Sequence, residues 1–217
     1  MKIHWVNLLS NDGTIMANDN VNDIRFDYKV ILDMVEKGSK VLDLGCGTGE
    51  LLELLVKERG CVVSGVDKHE PSIIQCMAKG ISVLHADISE GLRDLGDNTY
   101  DYVILSRTLQ QISDPDKTML EMLRVGKRAI VSFPNFSFWP IRMQLLLTAT
   151  LPESKALPYH WFNTPNIRVI TLKDFEKFTK MFGFKIVQMV ALKSNGKKVK
   201  FFPSWFSEYG IFSLEKR

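Results

Sequence analysis

Residues 40–50 read Lys-Val-Leu-Asp-Leu-Gly-Cys-Gly-Thr-Gly-Glu, and they constrain this chain more than any other stretch. Val41, Leu42 and Leu44 predict a short buried strand, and the spacing changes to helical from Leu51. Between them Gly45, Gly47 and Gly49 predict a turn with few side chains, where backbone can approach a ligand closely. A strand, a glycine turn and a helix N-terminus form a ligand cradle. The unpaired N–H groups of the first helical turn are expected to attract an anionic group there.

The pattern repeats downstream. Phe26, Val30, Met34 and Val35 predict a helix closed by Gly38, ahead of the central strand. A helix from Leu51 to about Gly60 leads to a second strand at Val62–Val66, ending on Asp67. Pro71 suits the first turn of the next helix, with Gly80 as its cap. Strands at Ile81–His85, Tyr100–Leu105 and Arg128–Phe133 follow, the last two separated by a helix from Asp114-Pro115 to Val125. Apolar strands alternating with helices predict a parallel sheet buried on both faces. Thr171 and Asp174 predict a capping box for a helix through Phe182. Phe184–Leu192 and Ile211–Leu214 have no such helix between them, so they should pair antiparallel. The expected fold is α/β: a three-layer, doubly wound, mostly parallel seven-stranded sheet with one antiparallel strand.

Residues 1–22 are weakly patterned and predict an N-terminal extension on a domain spanning 23–217. Residues from about 134 to 168 form an aromatic and proline-rich insertion, with Phe136, Phe138, Trp139, Trp161 and Phe162. A net charge of +3 is too small to argue for nucleic acid. Lys193, Lys197, Lys198 and Lys200 read as a solvated hairpin or as a contact for an anionic partner. The three cysteines, Cys46, Cys61 and Cys76, show no paired spacing and suit a reducing compartment. The four histidines lie too far apart in sequence to suggest a metal site. The N-terminus lacks the long apolar core of a signal peptide, and no run reaches the roughly 18 apolar residues of a membrane span. The expected location is the cytoplasm.

Several chemistries compete for the glycine turn. A dinucleotide fingerprint needs its third glycine where Glu50 stands, and a phosphate-binding loop needs Lys-Ser/Thr after Gly49. Asp67 follows Gly45 by about 20 residues, the position from which a carboxylate accepts ribose hydroxyls or else caps the helix at Pro71. Asp87 holds the same place after the third strand, where it could accept from an exocyclic amine such as adenine N6 or cap Ser89-Glu90. Asp43 lies inside an apolar strand and should accept hydrogen bonds from the glycine turn or a ligand amine, because a buried carboxylate is costly unpaired. Ser106 ends the fourth strand on the same carboxyl edge, as a ligand contact or a turn cap.

This ladder of Asp43, Gly45, Cys46, Gly47, Gly49, Asp67, Asp87 and Ser106 resembles the cofactor site of class I S-adenosylmethionine-dependent methyltransferases. VLDLGCGTG is similar to their first motif, and the resemblance covers roughly Phe26–Phe133. It implies that the turn lies against the methionine moiety, Asp67 by the ribose and Asp87 by the adenine. A narrower resemblance rests on LQQI, LRVGKRAIVSFPNF and LPYHWFNTPNIRVITLKDFE, which are similar to the MetW family of methionine biosynthesis. It implies a partner of homoserine O-acetyltransferase, a MetX-like acyltransferase, that supports homoserine O-acylation. The alternative is a methyltransferase acting on a small acceptor, with His160, Tyr159 and Asn163 as candidates to orient or deprotonate it, or as packing and rim residues.

Overall fold

The computed structural model of the chain describes residues 25–217 except 155. The extension predicted over residues 1–22 lies outside the described residues. The elements run α1 (Phe26–Met34), β1 (Lys40–Leu44), α2 (Glu50–Arg59), β2 (Val62–Asp67), α3 (Glu70–Ala78), β3 (Ser82–His85) and α4 (Ile88–Gly91). They continue with β4 (Tyr100–Ser106), α5 (Pro115–Val125), β5 (Gly126–Pro134), α6 (Trp139–Thr148), α7 (Leu172–Met181), β6 (Phe184–Leu192), α8 (Pro203–Phe206) and β7 (Tyr209–Lys216).

The strands form one seven-stranded sheet in the order β3-β2-β1-β4-β5-β7-β6. β7 alone runs against its neighbours, pairing antiparallel with both β5 and β6. The β6–β7 ladder shifts register between Ile186 and Gln188, leaving Val187 as a bulge. The order reverses at β1 and β4, which pair in parallel. Open α/β sheets bind ligands at such a switch point, beyond the carboxyl ends of the strands.

Each inner strand feeds two cores, which is why it reads as a continuous apolar run. Leu42, Leu44, Val103, Leu105, Val131 and Phe133 face the layer of α4, α5 and α7. Val41, Tyr102, Ile104 and Ile130 face α1, α2 and α3. Phe133, Phe175 and Phe212 pack ring against ring in the first core, with centroids 4.7–5.7 Å apart.

Two helices escape the sequence pattern. α6 has Pro140 in its first turn, but of its apolar residues only Ile141 is buried, so no amphipathic stripe marks it. α8 is one turn long. Residues 193–197 close a turn through the Lys193 N–H to the Lys197 carbonyl, and all four lysines of that run are exposed. Among the described residues no helix is long and apolar enough to cross a membrane.

The N-cap half of the predicted box at α7 is present: Thr171 Oγ1 accepts from the Asp174 backbone N–H at 3.1 Å, while the Asp174 carboxylate accepts from the Thr171 hydroxyl at 2.7 Å. Thr171→Ala removes the acceptor and is expected to cost about 1 kcal/mol, read from urea denaturation.

Candidate functional site

The turn after β1 is tied down from below. Gly45 and Cys46 N–H both donate to the Val66 carbonyl, at 2.7 and 3.2 Å, and Gly49 N–H donates to the Cys46 carbonyl. Gly47 N–H donates to Asp67 Oδ2 at 2.7 Å, so β2 supplies the acceptor that shapes the loop after β1. Gly47 has φ +53°, and a Cβ there would meet nothing within 4 Å, so this left-handed residue turns an open face outward. Gly49, at φ +76°, caps α2; a Cβ there would come within 2.7 Å of Cys76 Sγ. Gly65 on β2 is required for space rather than conformation, because its Cβ would lie 2.5 Å from Cys46 Sγ. Cys46 itself therefore packs beneath the turn, and burial raises its thiol pKa.

A cleft of about 310 Å³ opens beyond these strand ends. Gly45, Asp67 and Asp87 line it together with Lys68, Thr108 and Asp114, and the structure so brings three predicted residues to one cavity. Asp67 already accepts from Gly47 N–H and, through Oδ1, from His69 N–H at 2.8 Å. Each carboxylate oxygen has a second lone pair, so both can still accept from ligand hydroxyls.

Three aspartates and one lysine make the ionisable lining acidic, and Glu50 and Glu53 occupy the first turn of α2. The N–H groups of Gly45, Cys46, Gly47 and Gly49 are engaged by the protein itself, and the acidic lining of the cleft favours hydroxyl and amine donors.

Asp43 departs from expectation in a useful way. It is buried, and its Oδ1 has no hydrogen-bond partner, so the glycine turn does not satisfy it. Burial pushes its carboxyl up to about 7, opposed by Arg25 and reinforced by Asp67. An orphaned buried carboxylate at the switch point is a ready acceptor for a cationic or N–H group.

Ser106 lies beside a network that sequence reasoning missed. Its Oγ accepts from Arg25 Nη2 and shares a hydrogen bond with Ser132 Oγ, both at 3.2 Å. Asp27 is fully buried and takes Arg25 through Nε and Nη2, at 3.2 and 2.7 Å, and Arg107 through Nη2 at 3.1 Å. Arg107 Nε sits 3.0 Å from Asp27 Oδ2 but off the line of a hydrogen bond. The Arg107 guanidinium also lies over Phe26 and Tyr209. Arg107 has φ +57°, a strained backbone held by its N–H to the Ser132 carbonyl at 2.9 Å. The available signal was a charged residue, Asp27, inside the apolar spacing of α1.

The three weaker candidates lie elsewhere. His160 Nδ1 is 2.7 Å from Glu153 Oε1, and its ring stacks on Phe162. Tyr159 lines a second cavity with Phe136, Leu151 and Trp161. Asn163 donates its backbone N–H to the His160 carbonyl. None of the three lines the Gly45–Asp87 cleft.

The wall shared by cleft and insertion is the short 3₁₀ segment Leu109–Gln111 and the residues after it. The Gln110 carbonyl accepts from both Ile167 and Arg168 N–H, and Arg168 donates to the Ile112 and Ser113 carbonyls.

Because the Asp43 carboxyl holds its proton more tightly folded than unfolded, its contribution to stability is greatest below about pH 4. It is lost as pH rises toward about 7. Asp43→Asn is expected to melt higher than the unsubstituted protein at pH 8, with the gap closing toward pH 4. Calorimetric melting across that range checks this.

A model of the family "Methionine biosynthesis protein MetW" matches residues 25–214. The bifunctional methionine biosynthesis protein MetXA/MetW of Rhodopirellula baltica is 35% identical over 161 residues, 70% of this chain and 26% of that one. The ubiquinone biosynthesis O-methyltransferase of Methylococcus capsulatus is 29% identical over 121 residues, 54% of this chain and 50% of its own length. The chain thus matches a quarter to a half of the length of these relatives. Among solved structures, an S-adenosylmethionine-dependent methyltransferase from Mesorhizobium loti superposes with a TM-score of 0.64 at 16% identity, covering 88% of this chain and 98% of that one. On the fold of those methyltransferases, this chain is a member of the MetW family of methionine biosynthesis proteins.

Proposed function

We propose that this protein binds S-adenosylmethionine in the Gly45–Asp87 cleft and supports homoserine O-acylation as the partner of a MetX-like homoserine O-acyltransferase. One observation carries the partner assignment: the Rhodopirellula relative bears both names, MetXA and MetW, on a single chain. Fusion keeps two modules at high effective concentration, an arrangement suited to modules that work in contact.

The cleft fits the cofactor by its chemistry. Asp67 on the cleft wall retains lone pairs for ribose hydroxyls, and behind the lining the buried Asp43 keeps one oxygen without a hydrogen-bond partner. Asp87 on the cleft wall suits the adenine amine, and the open face of Gly47 lets the ligand approach backbone. When bound, the cofactor supplies an electrophilic methyl on a sulfonium. The three cysteines are free and buried, in keeping with a reducing, cytoplasmic setting.

A second reading, transfer of that methyl to a small acceptor, is favoured by the similarity to the ubiquinone O-methyltransferase. It would use positioning more than acid–base chemistry, and the partnership reading is preferred because the MetW match spans nearly all of the described residues.

The acylation rate of the same organism's acyltransferase, measured with and without this protein at matched concentration, decides between them. A clear rise supports partnership; no change, with no co-elution, overturns it and leaves methyl transfer. Separately, Asp67→Ala is expected to weaken S-adenosylmethionine binding by about 1.5–3 kcal/mol in titration calorimetry. Unchanged affinity would remove Asp67 from the site.

A further inference from the structure

An apolar band runs across the molecule beside the cleft. It begins on α6, where Leu146 and Leu147 are 76% and 73% exposed. Directly after α6, Ala149 and Thr150 enter a groove of about 730 Å³ lined also by Phe136, Leu151, Trp161 and Val169, with Trp161 and Val169 each 74% exposed. Phe162 stands edge-on to Trp161 at 5.8 Å. Val169 also lines a neighbouring groove of about 380 Å³ with Leu109, Pro115, Phe175 and Phe178, so the band reaches α7 without a break.

Exposed apolar residues scattered singly need no explanation, but a contiguous aromatic and leucine-rich surface marks an interaction site. The charged groups in it are already engaged. Glu153 pairs with His160, and Arg168 donates to the Ile112 and Ser113 carbonyls. What remains calls for a partner surface that is apolar and uncharged at its centre. At its inner margin the band rests on Leu109 and Pro115, and the residues between them, Ile112 to Asp114, wall the cofactor cleft.

We infer that this band is the docking surface for the acyltransferase, an assignment that rests on the partner reading above. The occupant is argued from the bifunctional relative, which bears the names MetXA and MetW on one chain. α6 and the insertion supply the interface core, and α7 one margin.

The test measures binding of the full chain to the same organism's homoserine O-acyltransferase by titration calorimetry, with each variant's melting temperature recorded. Leu146→Glu and Trp161→Ala lie on the band; Ile74→Glu, on exposed α3, is the control. The unsubstituted chain and Ile74→Glu are expected to bind alike. Each band variant is expected to weaken binding at least tenfold while melting normally. If the unsubstituted chain binds and the band variants match it within twofold, the surface assignment is overturned and the partner reading stands. If the unsubstituted chain does not bind, the partner reading falls and takes the surface with it. Self-association in sedimentation, or retention on phosphatidylcholine–phosphatidylglycerol vesicles, that Leu146→Glu abolishes while acyltransferase affinity is unchanged, assigns the band to a second copy or a lipid surface and overturns the inference.

Discussion

One buried carboxylate, Asp27, gathers the carboxyl edge of the sheet. Its two arginine partners come from opposite ends of the α1–β4 segment: Arg25 precedes α1, and Arg107 follows β4. Through Ser106 and Ser132 the same network reaches the ends of β4 and β5, and through the Tyr209 ring it reaches the start of β7. A buried ion triad is weak evidence for net stability, because desolvation offsets much of the attraction. Its value lies in geometry. Removing Asp27 would leave two guanidinium charges without their counter-ion, so this one carboxylate ties α1, β4 and β7 together.

That fixed edge lets the cleft be acidic. Asp67 is held by two backbone N–H groups, and behind the lining the buried Asp43 oxygen has no hydrogen-bond partner. A site whose acceptors are in place before the ligand arrives loses little to reorganisation on binding. The penalty is carried by the folded protein, as a carboxyl whose ionisation burial opposes.

The sheet was legible because its inner strands are buried on both faces, though the edge strand β3 is not, and because α2 and α3 stop where Gly60 and Gly80 punctuate the chain. The cleft was legible where sequence position fixes a place at the carboxyl ends of the strands, at Gly45, Asp67 and Asp87. The Asp27 network was not, because it joins residues 80 positions apart whose local patterns are ordinary. Asp114 was read only as a helix start and Thr108 drew no reading; their place in the cleft follows from how the loop after β4 folds back. α6 stayed hidden because its leucines face outward; periodicity reveals a helix only when the helix serves its own core.

The Val187 bulge bears on a hazard at the far side of the molecule. β6 is the outermost strand of the sheet, and at nine residues it is one of the two longest. A long open edge offers unpaired backbone groups to any extended chain that meets it. The shift between Ile186 and Gln188 bends that edge midway, and Lys185 beside it is tethered to Glu215 by an ion pair at 2.6 Å. The strand that completes the fold is thus shaped against recruiting an eighth strand from another molecule.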